Sequence, residues 1–307
     1  GYTVLELMIV IAVSASMFVV VAITFGGRQQ QVQFTQGVRD LDARIADAIN
    51  DVSTGYYSNT GIINCSVNPD VAIERPTLNG NALPASADAQ GSSDDCVNIG
   101  KAIQFAPLVG GLATPEQPSV INIYNIIGRR NNNGTVNSLQ AARPKAVAPT
   151  ALGDTDNLDG QVSKIPLQWG LEITDIYSNN TPTNNYGTIG FFTSFSKSFV
   201  NGAEQINLSN NQSVRYGAIP GTSLRQSPFE AVTAINRITD DNSVSPTETF
   251  VGTTSNLGLP GIASPNSITI CVKSPDGRRR AAIVIGADGA TSTKIQFDNY
   301  DSARCIG

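Results

Sequence analysis

Residues 2–25 read YTVLELMIVIAVSASMFVVVAITF, and this apolar stretch decides the fold. Its 24 residues include a single charged side chain, Glu6, and the other polar positions are Thr or Ser. At about 1.5 Å per residue, an α-helix of this length reaches roughly 36 Å, which is enough to cross a hydrocarbon core of about 30 Å. The run ends at Gly26-Gly27-Arg28 and is longer than the apolar core of a signal peptide. The sequence therefore predicts a membrane-spanning helix.

Glu6 is unusual in these surroundings, because an ionised carboxylate within an apolar span costs about 3 kcal/mol. No Lys or Arg precedes Arg28, so the nearest cation is an α-amino group, either of this chain or of an adjacent copy. A partner on an adjacent copy would fix the stagger between subunits, because only one register neutralises both charges. The alternative is a solvated Glu at the headgroup level with no specific role.

The first ten residues, GYTVLELMIV, resemble the processing site of type IV pilins and type II secretion pseudopilins. In that family a prepilin peptidase cuts after the glycine, the new N-terminus is an N-methylated aromatic residue, and a Glu follows four residues later. The resemblance implies that Gly1 and Tyr2 form the processing and N-methylation site. It also implies that Glu6 serves assembly by pairing with the N-terminal amine of a neighbouring subunit.

Two features depart from the family pattern. The chain carries Gly1, which family members normally lose, so the order of Gly1 and Tyr2 at the mature N-terminus stays open. Many pilins have a proline in the middle of this helix, whereas the first proline here is Pro69. If the helix unwinds during assembly, Gly26-Gly27 is the expected place, because Gly weakens a helix by about 1 kcal/mol relative to Ala.

The stretch that follows, residues 28–53, keeps a helical pattern but becomes amphipathic. Apolar residues recur there at spacings of three and four, which places on one helix face Phe34, Val38, Leu41, Ile45, Ala48, Ile49 and Val52. Asp40 precedes Arg44 by one helical turn, the better order for a surface ion pair. Gly55 marks the end of the pattern. One continuous helix from the membrane into a head domain is predicted, with a short separate surface helix as the alternative.

Beyond Gly55 the apolar period shifts towards two, as is typical of β-strands. The candidate strands of the middle region are residues 98–105, 120–127, 171–177, 188–195, 213–219 and 231–238. Loops are predicted at residues 131–134, 141–160 and 179–185. Strand-like runs at 267–273, 280–286 and 292–298, with tight turns at 274–277 and 287–289, predict a C-terminal meander.

The four cysteines, Cys65, Cys96, Cys271 and Cys305, suit two disulfides in an oxidising compartment. Three pairings are open, and the local pairs Cys65–Cys96 and Cys271–Cys305 are favoured. Each would close a loop of about thirty residues, which contributes roughly 3–4 kcal/mol. A C-terminal disulfide would also resemble the disulfide loop of many pilins. Four reduced, buried thiols are the alternative.

The composition argues against most catalytic and metal sites. Histidine is absent, which excludes Ser-His-Asp triads, Cys-His dyads and His-based metal sites. No phosphate-binding loop motif occurs. Asp154, Asp156 and Asp159 form a weak calcium candidate, because Leu158 occupies a ligand position and no Glu closes the set. We therefore expect no cofactor, no metal and no enzymatic activity.

Arg278, Arg279 and Arg280 form a compact basic run beside a predicted turn. Repeated along a filament, such a run would contact DNA or anionic surfaces. A solubilising hairpin tip is the alternative. The net charge of −5 argues against a globally basic nucleic-acid binder.

Together these features predict an α+β fold in the form of a pilin-like ladle. Residues 1–54 would form the helix that serves as membrane anchor and filament core, and residues 55–307 a β-rich extracellular head with antiparallel sheet. The expected function is that of a type IV pilus subunit, held in the cytoplasmic membrane and then assembled into an extracellular pilus for attachment, twitching motility or DNA uptake. Its partners would be other copies, the prepilin peptidase and assembly machinery, and host or other cell surfaces. The alternatives are a minor pilin or pseudopilin at a filament tip, a membrane-anchored adhesin that never polymerises, and a membrane-anchored envelope enzyme.

Overall fold

The computed structural model describes residues 3–55, 77–78, 81–82, 96–107, 119–129, 145–146, 162–178, 186–193, 196–200, 203–207, 214–219, 222–237, 267–286, 292–297 and 305. The helices are α1 (Val4–Thr54) and α2 (Pro228–Arg237), and a short 3-10 helix covers Gln168–Gly170. The strands are β1 (Thr77–Leu78), β2 (Asn81–Ala82), β3 (Cys96–Phe105), β4 (Val120–Arg129), β5 (Lys145–Ala146), β6 (Val162–Pro166), β7 (Glu172–Ser178), β8 (Thr188–Thr193), β9 (Ser196–Val200), β10 (Ala203–Asn207), β11 (Val214–Ala218), β12 (Ile268–Lys273), β13 (Arg280–Ile285) and β14 (Thr293–Phe297).

Helix α1 is a single element of 51 residues. At about 1.5 Å per residue it is roughly 76 Å long. The helix continues through Gly26-Gly27 and stops at Gly55, whose backbone is left-handed with φ 71°. Glycine adopts that conformation without steric cost, so it is a common helix end. The prediction of one continuous helix is confirmed, and the alternative of a short separate helix is wrong.

The C-terminal half of α1 buries one face in the head. All seven residues predicted for this face are buried, namely Phe34, Val38, Leu41, Ile45, Ala48, Ile49 and Val52. On the outer surface Arg44 Nε lies 3.7 Å from Asp40 Oδ1, as the spacing predicted. The last turn is tied to β3, because Lys101 Nζ lies 2.5 Å from Asp51 Oδ2.

Two antiparallel sheets receive this face of α1. The larger has six strands in the order β11-β8-β3-β4-β5, and β6 pairs with the same edge of β4 as β5 does. The smaller has four strands in the order β14-β13-β12-β7. Both sheets and α1 contribute to one buried apolar cluster. The chain passes from one sheet to the other through the 3-10 helix, which lies between β6 and β7.

Most of the predicted strands are confirmed, including the three of the C-terminal meander. The tight turn at 274–277 is also present, with Gly277 N donating to Ser274 O at 2.8 Å. The strands β1, β2, β6, β9 and β10 were not predicted, and β5 lies inside a predicted loop. The predicted loops at 131–134 and 179–185 and the turn at 287–289 fall outside the described residues.

The strand predicted at 231–238 is wrong, because this segment belongs to helix α2. Ser227 starts the helix with a capping box. Its Oγ accepts a hydrogen bond from Glu230 N at 3.3 Å, and the Glu230 carboxylate accepts from Ser227 N at 3.0 Å. Pro228 follows at the first helical position, where its fixed φ favours the helix. The Ser-Pro-Phe-Glu sequence is a helix-start signal that outweighs the β-branched residues after it.

Candidate functional site: the exposed apolar helix and its N-terminal cap

The N-terminal half of α1 presents an uncovered apolar surface. The 18 residues Val4–Val21, called here the apolar segment, have a mean hydropathy of 2.6, and none of them is buried. Large side chains such as Phe18 are 74% exposed. At about 1.5 Å per residue the apolar segment is roughly 27 Å long, close to the hydrocarbon thickness of a bilayer. It is therefore long and apolar enough to cross a membrane.

One polar group of the apolar segment is satisfied within the helix itself. The Ser16 hydroxyl donates to Val13 O at 2.8 Å, one turn earlier in the same helix. A hydroxyl that bonds to its own helix does not need water. Apolar side chains surround the helix axis on all sides, whereas a helix lying on a protein core has one apolar face. The apolar segment can thus be covered from every direction, by lipid or by other helices.

Thr3 and Glu6 form a capping box at the start of α1. Thr3 Oγ1 accepts from Glu6 N at 3.3 Å, while Glu6 Oε2 accepts from Thr3 N at 2.9 Å and from Thr3 Oγ1 at 3.1 Å. These bonds satisfy backbone donors that the helix leaves without partners, and the carboxylate also faces the positive end of the helix dipole. Sequence reasoning missed Thr3, although Thr-x-x-Glu before an apolar run is a recognised signal.

The capping box uses one oxygen of the Glu6 carboxylate. Within the described residues, Oε1 of Glu6 accepts no hydrogen bond, and no Lys or Arg contacts the side chain. Among the described residues, one oxygen of the carboxylate is therefore bonded to Thr3 and the other is left for a further donor. Gly1 and Tyr2, the predicted processing site, lie outside the described residues.

The C-terminal cysteines pair as predicted. Cys271 of β12 is bonded to Cys305 at a sequence separation of 34 and a Cα–Cα distance of 5.4 Å. The bridge is buried together with Tyr177 and Ala282. It ties the end of the chain to the smaller sheet. Cys96 begins β3, and Cys65 lies outside the described residues, so the Cys65–Cys96 pair stays a prediction.

The basic run covers the two residues before β13 and the first residue of that strand. Arg278 is exposed, and its backbone N donates to Asp276 Oδ1 at 3.2 Å. Arg279 is half-buried, and its N donates to the Ser274 hydroxyl at 3.0 Å. The Arg280 guanidinium donates to Cys305 O at 3.3 Å and so supports the disulfide segment. The surface contact expected of this run stays a prediction.

The predicted site residues lie in separate places. The turn that carries Arg279 lines a cavity together with Gln30 of α1, which lies roughly 36 Å along the helix from Glu6 at about 1.5 Å per residue. The calcium candidates Asp154, Asp156 and Asp159 lie outside the described residues. Among the described residues, no three His, Cys, Asp or Glu side chains come together as a metal site would require.

Comparison with known proteins finds no match among protein-family models, curated proteins or solved structures. Function is therefore inferred from the residues and their geometry.

Proposed function

We propose that this chain is a structural subunit of a type IV pilus or a closely related pilin-like filament, and that it polymerises through α1. One observation carries the proposal. One continuous helix has one face of its C-terminal half buried in the head, while no residue of the apolar segment at its other end is buried. Such an arrangement would suit a pilin-like ladle, in which the apolar segment is the handle and is available for burial elsewhere.

The mechanism is a transfer of the apolar segment between two apolar environments. Before assembly the segment lies in the cytoplasmic membrane, where lipid covers it. In the filament the same surface packs against the apolar segments of neighbouring copies, with the β-rich heads outside. Either environment removes the segment from water, which is the main driving force for its burial. The head remains fixed to the helix throughout, because the buried face of the C-terminal half of α1 is part of the core of the head.

Glu6 sets the register of this packing. Its carboxylate is held by Thr3 at the first turn of α1, with Oε1 open to a donor. Pairing with the N-terminal amine of a neighbouring copy neutralises both charges in the filament core, whereas any other stagger leaves an unpaired buried charge, which costs several kcal/mol. Processing and N-methylation at Gly1 and Tyr2 by a prepilin peptidase would supply that amine.

Filament preparations test this proposal directly. Appendages are sheared from cells, imaged by electron microscopy, and their subunits are mapped by mass spectrometry. The chain is expected as a component of filaments, with an N-terminal peptide that shows whether Gly1 or Tyr2 comes first. Recovery of the chain only as dispersed monomers or only in membranes would contradict the proposal.

The length of the chain favours a second candidate within the same structural class. The head, residues 55–307, is large for a major subunit, which suits a minor pilin or pseudopilin at a filament tip. The ratio of this chain to other subunits in the same filaments distinguishes the two. A major subunit dominates the preparation, whereas a tip subunit is present in a few copies per filament.

A further inference from the structure

A cavity of about 190 Å³ opens where α1, the 3-10 helix and the turn between β12 and β13 meet. Trp169 supplies an aromatic face, Gln30 and Gln33 supply side-chain amides, and Asp276 and Arg279 supply charged groups. This cavity is called here the Trp169 pocket. Trp169 is the only tryptophan of the chain.

Trp169 lines the pocket and has a strained backbone. Its φ of 59° and ψ of 23° lie in the left-handed region, which is costly for a residue with a side chain. Gly170 is also left-handed, and a Cβ there would lie 2.8 Å from Pro275 Cγ, so the 3-10 helix fits tightly against the turn. Trp169 nevertheless remains 52% exposed. A strained backbone that holds a large aromatic side chain at the surface points to a binding role.

The polar groups of the pocket suit a neutral ligand with many hydroxyls. The Gln30 and Gln33 amides both donate and accept, and they lie one turn apart on α1. Hydrogen bonds from Ser274 and Arg278 lower the pKa of Asp276, so its carboxylate is an ionised acceptor. Arg279 lines the same cavity with the opposite charge. Because the two charges are opposite, the pocket carries no net charge that would select a charged ligand.

We propose that the Trp169 pocket binds a neutral saccharide. The C–H face of one sugar ring stacks on the indole, and its hydroxyl groups bond to Gln30, Gln33 and Asp276. The volume is below the range of about 300–1,000 Å³ that is typical for drug-sized ligands, which suits a single sugar ring. This inference does not rest on polymerisation, so failure of filament assembly would leave it standing.

Tryptophan fluorescence tests the inference on the full chain, because all of the indole emission comes from Trp169. The protein is kept in a detergent without a sugar headgroup, such as lauryldimethylamine oxide, and titrated with glucose, galactose and N-acetylglucosamine. A saturable change in emission is expected with at least one of the three. The absence of such a change with all three, or equally tight binding of glucuronate, overturns the inference.

Variants distinguish a role of the pocket residues in sugar binding from a role in packing. Gln33→Ala is expected to weaken the sugar response at least tenfold, while Gln31→Ala, the same change outside the pocket, leaves it unchanged. Trp169→Asn removes the indole but tolerates the left-handed backbone. Saturation-transfer NMR on the sugar should therefore show lost binding with an unchanged or higher Tm. A sugar signal that survives in Trp169→Asn contradicts the assignment, and so does a lower Tm for this variant, which would show that Trp169 serves packing.

Discussion

The two halves of α1 belong to one helix but meet opposite surroundings. In the C-terminal half a stripe from Phe34 to Val52 is buried, and charged residues occupy the outer side. In the apolar segment, the 18 residues Val4–Val21, every side is apolar and every side is uncovered. The difference shows that the C-terminal half of α1 stabilises the fold of a single copy. The apolar segment adds to stability only when lipid or further copies cover it. The predictions below test that division of roles.

The largest expected effect comes from a matched pair of Leu→Ala variants. Leu41 is 0% exposed and Leu7 is 58% exposed. Leu41→Ala removes buried methyl groups and leaves a cavity, so the free energy of unfolding of the head should fall by about 2–5 kcal/mol. Leu7→Ala should change it by less than about 0.5 kcal/mol, because this side chain packs on no part of the head. Thermal unfolding of the full chain in detergent measures both. Equal losses would refute the division between the halves.

An intermediate effect is expected from the ion pair that fixes the last turn of α1. The Lys101 side chain is 10% exposed in its pair with Asp51, whereas Lys273 is 38% exposed in its pair with Glu172. Lys101→Ala leaves a half-buried carboxylate unpaired and should cost about 3 kcal/mol. Lys273→Ala removes a solvated pair and should cost less than about 1 kcal/mol. Denaturant unfolding compares the two, and a loss for Lys273→Ala as large as that for Lys101→Ala would contradict the role assigned to burial.

The smallest effect concerns the capping box of α2. Ser227→Ala removes the hydroxyl that accepts from Glu230 N and should lower the free energy of unfolding by about 1 kcal/mol. Glu230→Gln keeps an acceptor oxygen for Ser227 N and should stay within about 0.5 kcal/mol of wild type. Chemical denaturation measures both changes. A Glu230→Gln loss as large as that of Ser227→Ala would mean that the negative charge, and not the hydrogen bond, starts the helix.

Strong periodicity explains which parts of the fold could be predicted. The buried face of α1 follows spacings of three and four over several turns, and all seven of its residues were predicted. The segment after Ser227 was assigned to a strand, because its apolar residues were weighed without the cap that precedes them. Strands β9 and β10 have five residues each and pair with no other strand in the described part of the chain, so their pattern is too short to recognise.

Of the candidate site, the sequence predicted Glu6 but not its bond to Thr3. Glu6 stands out, because a lone charge in an apolar run is visible in the sequence. Its bond to Thr3 was readable from the Thr-x-x-Glu spacing but was not used. The left-handed conformation of Trp169 was not readable at all, because it depends on how the 3-10 helix fits between α1 and Pro275.

The central claim is that the charge of Glu6, and not its capping bond, directs assembly. Glu6→Gln separates the two, because Gln keeps an oxygen for Thr3 N but cannot neutralise an amine. Glu230→Gln makes the same change in the capping box of the head and serves as the matched control. The measurement is the number of filaments per cell in electron micrographs, at equal membrane levels of the chain. The account predicts that Glu6→Gln abolishes filaments while Glu230→Gln preserves them, and normal filaments in the Glu6→Gln strain would contradict it.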